Sequence, residues 1–169
     1  MTFTERRLDL VFFIFFITHI PITIFFDLQS IYPKWLVPSV LQQILNFYAQ
    51  TTNDPFMNVA IPRYWFQALV SMEALCQLPF FFVASYALYY NMPFIRLPLI
   101  VYGSHVVTTV VPVLAELLLN PTLVGLEQDM MKRWTLVAIY SPYLLIPLVL
   151  LVDSYRRVSN ALVPKFKSN

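Results

Sequence analysis

Apolar residues along this chain gather into four long runs, over residues 10–26, 65–90, 97–119 and 134–152, separated by shorter polar stretches. Each run is near the roughly 20 residues that a helix needs to cross a bilayer. The pattern therefore predicts an all-α membrane protein: one domain over 1–169, four transmembrane helices in a bundle, and both termini on one side. Trp65, Trp134, Tyr89, Tyr90 and Tyr155 fall at run ends, where an interfacial aromatic belt is expected. The first run follows Arg6 and Arg7 as a signal peptide would. It ends in the bulky Ile24-Phe25-Phe26-Asp27, however, so it reads as a retained anchor.

Between the first two runs, residues 27–63 form the one long connection. Leu41, Ile44, Leu45 and Tyr48 recur at helical spacing among Gln42, Gln43, Asn46 and Gln50, with Pro38 placed for a first turn. A short amphipathic helix is expected there, on the membrane surface or capping the bundle. Proline occurs in every run, at Pro21, Pro79, Pro98, Pro112, Pro142 and Pro147. Kinked helices that splay around a cavity are one reading, and ordinary membrane prolines the other.

The composition agrees with this picture and narrows it. The 169 residues are 59% hydrophobic and 12% charged, which belongs to the membrane class. Two glycines exclude a Gly-rich phosphate loop, and a net charge of +2 gives no case for nucleic acid. Cys76 is the single cysteine, so no intrachain disulfide forms, and one Cys with two His cannot build a structural zinc site. No metal and no cofactor are expected. Arg6, Arg7, Arg96, Arg156, Arg157, Lys165 and Lys167 lie on one side of the four spans, against Lys34, Arg63, Lys132 and Arg133 on the other. The excess places the termini and the tail 153–169 in the cytosol and the 27–63 connection in a lumen. Lys165 and Lys167, fifth and third from the end, resemble a dilysine retrieval signal of endoplasmic reticulum membrane proteins; a basic tail near anionic lipid is the plainer alternative.

Candidate chemistry begins at Glu73. A carboxylate deep in a span faces a packed interior, pairs, or carries a proton. Gln77 shares its face. His19, Thr23 and Asp27 line up on the first helix, His105, Thr109, Pro112 and Glu116 on the third, and Tyr140 and Tyr143 on the fourth. Converging, these stripes would make an aromatic-walled cavity with carboxylates, suited to a hydrophobic ligand carrying one cation or hydroxyl. Glu73, His105 and Glu116 could instead serve as acid and base on an alkene. The bland readings are an interfacial Asp27, a turn-making Asp54 before Pro55, histidines that bond helix to helix, a half-solvated Glu116, and tyrosines that merely pack.

Several segments together resemble the sigma-2 receptor family, the EXPERA-domain proteins related to emopamil-binding protein. They are His19-Ile20-Pro21-Ile22-Thr23-Ile24-Phe25-Phe26-Asp27-Leu28-Gln29, Asp54-Pro55, Trp65-Phe66, Glu73-Ala74-Leu75-Cys76-Gln77-Leu78-Pro79-Phe80-Phe81, Tyr102-Gly103-Ser104-His105-Val106-Val107-Thr108-Thr109 and Tyr140-Ser141-Pro142-Tyr143-Leu144-Leu145-Ile146-Pro147. The resemblance implies a four-helix endoplasmic reticulum protein, often a homodimer, that binds sterols and cationic amphiphilic molecules in a pocket opening toward membrane lipid. It implies Asp27 as partner of the ligand amine, Asp54 and His19 as supports, and Glu73 with Gln77 as the floor. Tyr102, Thr109, Ile139, Tyr140, Tyr48 and Trp65 are implied around it. Three functions follow as expectations: a non-enzymatic sterol or lipid binder that regulates a membrane or sterol-transport partner, a sterol isomerase, and a quality-control or targeting factor. The first fits the quoted motifs best.

Overall fold

A computed structural model describes residues 3–57, 63–123 and 129–163. Among the described residues the regular structure is helical. Helix α1 is Arg7–Phe25, α2 Ser39–Thr52, α3 Tyr64–Met72, α4 Leu78–Tyr89, α5 Arg96–Leu119, α6 Met130–Tyr140 and α7 Pro142–Leu162. Four stretches are long and apolar enough to cross a membrane: Arg7–Ser30, Tyr64–Tyr89, Pro93–Leu119 and Met130–Leu162. Length and hydropathy thus give the four expected spans.

The first span is apolar on all sides, as a helix between lipid and protein must be. Its buried residues, Phe12, Phe15, Phe16, His19 and Thr23, nevertheless keep to one face. Val11, Ile14 and Ile17 remain outward. The inward face meets α4, and α5 runs along α7. Phe12, Phe16, Phe81, Leu88, Leu99 and Leu150 are buried together where these four helices meet. A second cluster, around Leu28, Leu45, Phe56, Phe66, Leu117 and Leu136, closes the end of the bundle beneath α2.

Helix α2 does cap the bundle. Leu45 is buried while Val40 and Phe47 stay exposed, and so does Ile44, which the spacing groups with Leu45. Pro38 stands immediately before the helix rather than inside its first turn, and its carbonyl accepts from the Gln42 N–H. The helix stops at Asn53, whose φ of 53° is left-handed, a conformation that asparagine tolerates.

The prolines act in different ways. Pro21, Pro112 and Pro147 lie inside helices, and Pro142 opens α7. Pro79 follows a single wide turn, Glu73–Gln77, in which the Leu78 N–H reaches five residues back to the Glu73 carbonyl. In a regular helix the Pro79 ring would crowd the carbonyl of Leu75. The wide turn relieves that crowding, and such turns recur at functional sites.

Close packing of α5 on α7 depends on Gly103. A β-carbon there would lie 2.9 Å from Leu151 Cβ and 3.0 Å from the Pro147 carbonyl oxygen. Gly103→Ala is expected to destabilise the protein by about 1–3 kcal/mol, as overpacking does. A lowered melting temperature in detergent checks this, and an unchanged one would show that α5 and α7 can part at no cost.

Beyond residue 152, where the tail was expected to begin, the last helix continues to Leu162. Charged pairing is the cause. Asp9 is fully buried and holds Arg96 Nη2 at 2.7 Å, Arg6 Nη1 at 3.2 Å and Arg157 Nη2 at 3.4 Å. Asp153 adds Arg157 Nε at 2.8 Å. This network joins the start of α1, the start of α5 and the end of α7, so these three helix ends lie at one end of the bundle.

Candidate functional site

A cavity of about 330 Å³ lies between the two packed clusters. Its volume falls in the range of small-molecule sites. The first helix and the turn after it supply His19 and Asp27. The wide turn supplies Glu73 and Gln77, α5 supplies Thr109, and α2 supplies Tyr48. Ile139 and Tyr140 from α6 and Tyr143 from α7 complete the wall.

Helical spacing explains the convergence. His19, Thr23 and Asp27 follow at intervals of four, and α1 keeps its path through Pro21, so all three approach Glu73. Thr23 Oγ1 donates to Glu73 Oε1 at 2.6 Å, and His19 Nε2 lies 3.5 Å from the same oxygen. His19 stacks on Phe81 with ring centroids 4.8 Å apart. Sequence reading gives Glu73 its partner in Gln77. The structure instead bonds Glu73 to Thr23 across the helix interface, and Gln77 stands beside it on the cavity wall. Among the described residues no lysine or arginine lines the cavity, and His19 is the one basic side chain beside its carboxylates.

Asp54 performs two tasks. Oδ1 accepts the Phe56 N–H at 2.9 Å, which is the turn expected before Pro55. Oδ2 accepts the hydroxyls of Tyr48 at 2.8 Å and Tyr140 at 2.9 Å. One buried carboxylate thereby ties α2 to α6 and sets two tyrosines on the cavity wall. Burial, then the Asp54 charge, pushes the Tyr48 phenol above its ordinary pKa, so it remains a donor.

Burial raises the Asp54 carboxyl above the ordinary carboxylate range, against hydrogen bonds that oppose the shift. A raised folded-state pKa means that the folded protein holds the proton more tightly than the unfolded chain. This contribution is fully present below the unfolded value of about 3.9 and is lost as pH rises through the folded value. The stability advantage of the wild type over Asp54→Asn should therefore be largest in acid and shrink as pH rises. Melting curves of the two proteins across pH measure it, and an advantage that grows with pH would contradict this role.

Other expected site residues lie elsewhere. Tyr102 is buried in the aromatic core against Phe16 and Phe80 rather than on the wall. Trp65 packs edge-on against Phe56, one layer behind. Glu116 pairs with Arg63 at 3.1 Å and accepts from Asn120, fastening the start of α3 to the end of α5. His105 is half-buried and, like Glu116, does not line the cavity. The acid–base set Glu73, His105 and Glu116 is thus not assembled around one space. Lys165 and Lys167 lie outside the described residues. Sequence reasoning left Met57 and Leu45 out of the site; both line the cavity and also a second, polar one of about 450 Å³ beside it. Leu45 belongs to the regular pattern of α2, whereas Met57 follows a turn and carries no periodic signal.

These features define a multi-pass helical membrane protein with a carboxylate-bearing, aromatic-walled internal cavity. The chain belongs to the EXPERA family (EXPanded EBP superfamily), which it matches over residues 40–154. It is 40% identical over 158 residues to sigma intracellular receptor 2 of Xenopus tropicalis, covering 90% of each chain. It is 37% identical over 160 residues to sigma intracellular receptor 2 of Homo sapiens, again covering 90% of each. Efficient mitochondria targeting-associated protein 19 of Schizosaccharomyces pombe is 30% identical over 154 residues, or 89% of this chain and 76% of that one.

Proposed function

We propose that this protein is an intracellular receptor for sterols and cationic amphiphilic molecules, held in the endoplasmic reticulum membrane with its termini in the cytosol. The observation that carries this reading is the cavity itself: Asp27 and Glu73 face an apolar, aromatic space with no lysine or arginine among the described residues of its wall. An ammonium group meets that need, and the aromatic walls supply area and cation–π attraction. Asp27 takes the amine. Glu73, held by Thr23, and Gln77 offer hydrogen bonds to an amine or a sterol hydroxyl. Occupancy would report sterol or lipid status to a membrane partner, and the protein would act without catalysing a reaction. Its similarity to sigma intracellular receptor 2 over nearly the full chain supports this.

A photoreactive cationic amphiphile tests the reading. After irradiation with the purified protein, labelled peptides should come from the cavity-bearing parts of α1, α3 and α6, and excess unlabelled ligand should suppress them. Labelling spread over the lipid-facing surface would count against a site.

Similarity to the fission-yeast targeting-associated protein supports a second reading, in which the bundle docks a targeting partner. Crosslinking to a protein partner that persists in Asp27→Asn and Glu73→Gln would favour it.

A further inference from the structure

We infer that His19, Asp27 and Glu73 form a binding site for a divalent transition-metal ion of the zinc type, at the same carboxylates that would receive an organic cation. One donor atom from each residue lies within 4.8 Å of the others. The inference rests on the cavity described above but not on its taking an amine.

Two observations beyond proximity point to an ion. His19 is 7% exposed, yet its Nδ1 has no hydrogen-bond partner, and its Nε2 stands 3.5 Å from Glu73 Oε1. A buried imidazole without a well-made hydrogen bond has a nitrogen free for an ion, and Nε2 is the one that stands beside Glu73. The second is charge. Two carboxylates face a cavity that, among the described residues, has no lysine or arginine on its wall. Burying carboxylates unpaired is expensive, so a cation bound between them is favoured.

The donor chemistry narrows the choice. One imidazole and two carboxylates match the mixed nitrogen and oxygen sets that hold zinc with a further position open. The imidazole disfavours magnesium and calcium, which take oxygen donors. A tetrahedral ion holding its donors at about 2.0–2.2 Å sets them roughly 3.3–3.6 Å apart, the separation His19 Nε2 and Glu73 Oε1 already have at 3.5 Å. The three side chains therefore need only small rotations to close on it. Thr23 Oγ1, bonded to Glu73 Oε1 at 2.6 Å, already orients one ligand. The sequence offers too few Cys and His for a structural zinc site, but it also hides this one, because its ligands come from two helices and only one is a histidine.

The test uses tag-free, chelator-treated full-length protein without any amine. Cobalt(II) should give the visible ligand-field absorption of a low-coordinate site, and zinc should displace it with one equivalent per chain. His19→Ala should weaken zinc binding more than tenfold. Thr23→Val, which removes only the supporting hydroxyl, should weaken it about tenfold. Absence of cobalt bands and of zinc heat in the well-folded wild type would overturn the inference, as would zinc binding unaffected by His19→Ala. Because binding of a cationic amphiphile is measured separately in chelator, failure of the metal site and failure of the receptor reading are distinguishable.

Discussion

Asp27→Asn is expected to reduce affinity for a cationic amphiphile by about 2–5 kcal/mol, a loss of roughly thirtyfold or more, because it removes one partner of a desolvated charge pair. A neutral ligand of the same shape should change by less than about threefold. Asp27 lies just past the last turn of α1, on the cavity wall. Its carboxylate accepts no hydrogen bond from another described residue, and so is available to a ligand. The neighbouring Glu73 is engaged by Thr23. Glu73→Gln should accordingly weaken the amine less than Asp27→Asn does. Equilibrium binding to purified protein, with melting temperature as a folding control, separates these cases. Equal loss of cationic and neutral ligands in a folded Asp27→Asn protein would mean that Asp27 shapes the cavity and pairs with nothing.

The second large effect is on stability, at the opposite end of the bundle from α2. Asp9→Asn should destabilise the protein by about 3–5 kcal/mol. Asp9 is fully buried and serves three arginines, of which Arg6 and Arg96 are themselves buried. Without the carboxylate, the buried Arg6 loses its counter-charge and the buried Arg96 keeps only Asp153, whose Oδ2 lies 3.7 Å from its Nη1. Arg6 keeps the Leu88 carbonyl and Asn91 Oδ1 as acceptors, which limits but does not cancel the loss. Asp153→Asn should cost less, because Arg157, its partner at 2.8 Å, is exposed to solvent. Thermal unfolding in detergent measures both, and Asp9→Asn melting like the wild type would show that the network is incidental.

Much of this architecture could be read directly from residue order. Hydropathy locates four spans because the bilayer imposes one length on each. The line of His19, Thr23 and Asp27, and the isolation of Glu73 among apolar neighbours, point to the cavity, because helical spacing fixes which side chains share a face. Long-range pairings were not legible. Asp9 meets Arg96 and Arg63 meets Glu116 only after the helices pack, and nothing local distinguishes these charges from solvated ones. For the same reason the tail from 153 reads as a polar appendage, although Asp153 and Arg157 make it part of the bundle. Local pattern also groups Glu116 and His105 with Thr109, but Glu116 lies further along α5 and pairs with Arg63, and His105 is turned away from the wall that Val106, Thr109, Val110 and Val113 form. The wide turn at Glu73–Gln77 has no periodic signature. Pro79 marks its position without revealing that the helix widens there rather than breaks.

The most direct test of the central claim is equilibrium binding to wild-type protein of a matched ligand pair: a labelled amphiphilic amine and its neutral analogue, in which carbon replaces the charged nitrogen. A carboxylate-bearing cavity with no lysine or arginine among its described residues should hold the amine at least tenfold more tightly, saturating at one site per chain. Equal affinity for the two, or binding that does not saturate, would contradict a charge-selective receptor site.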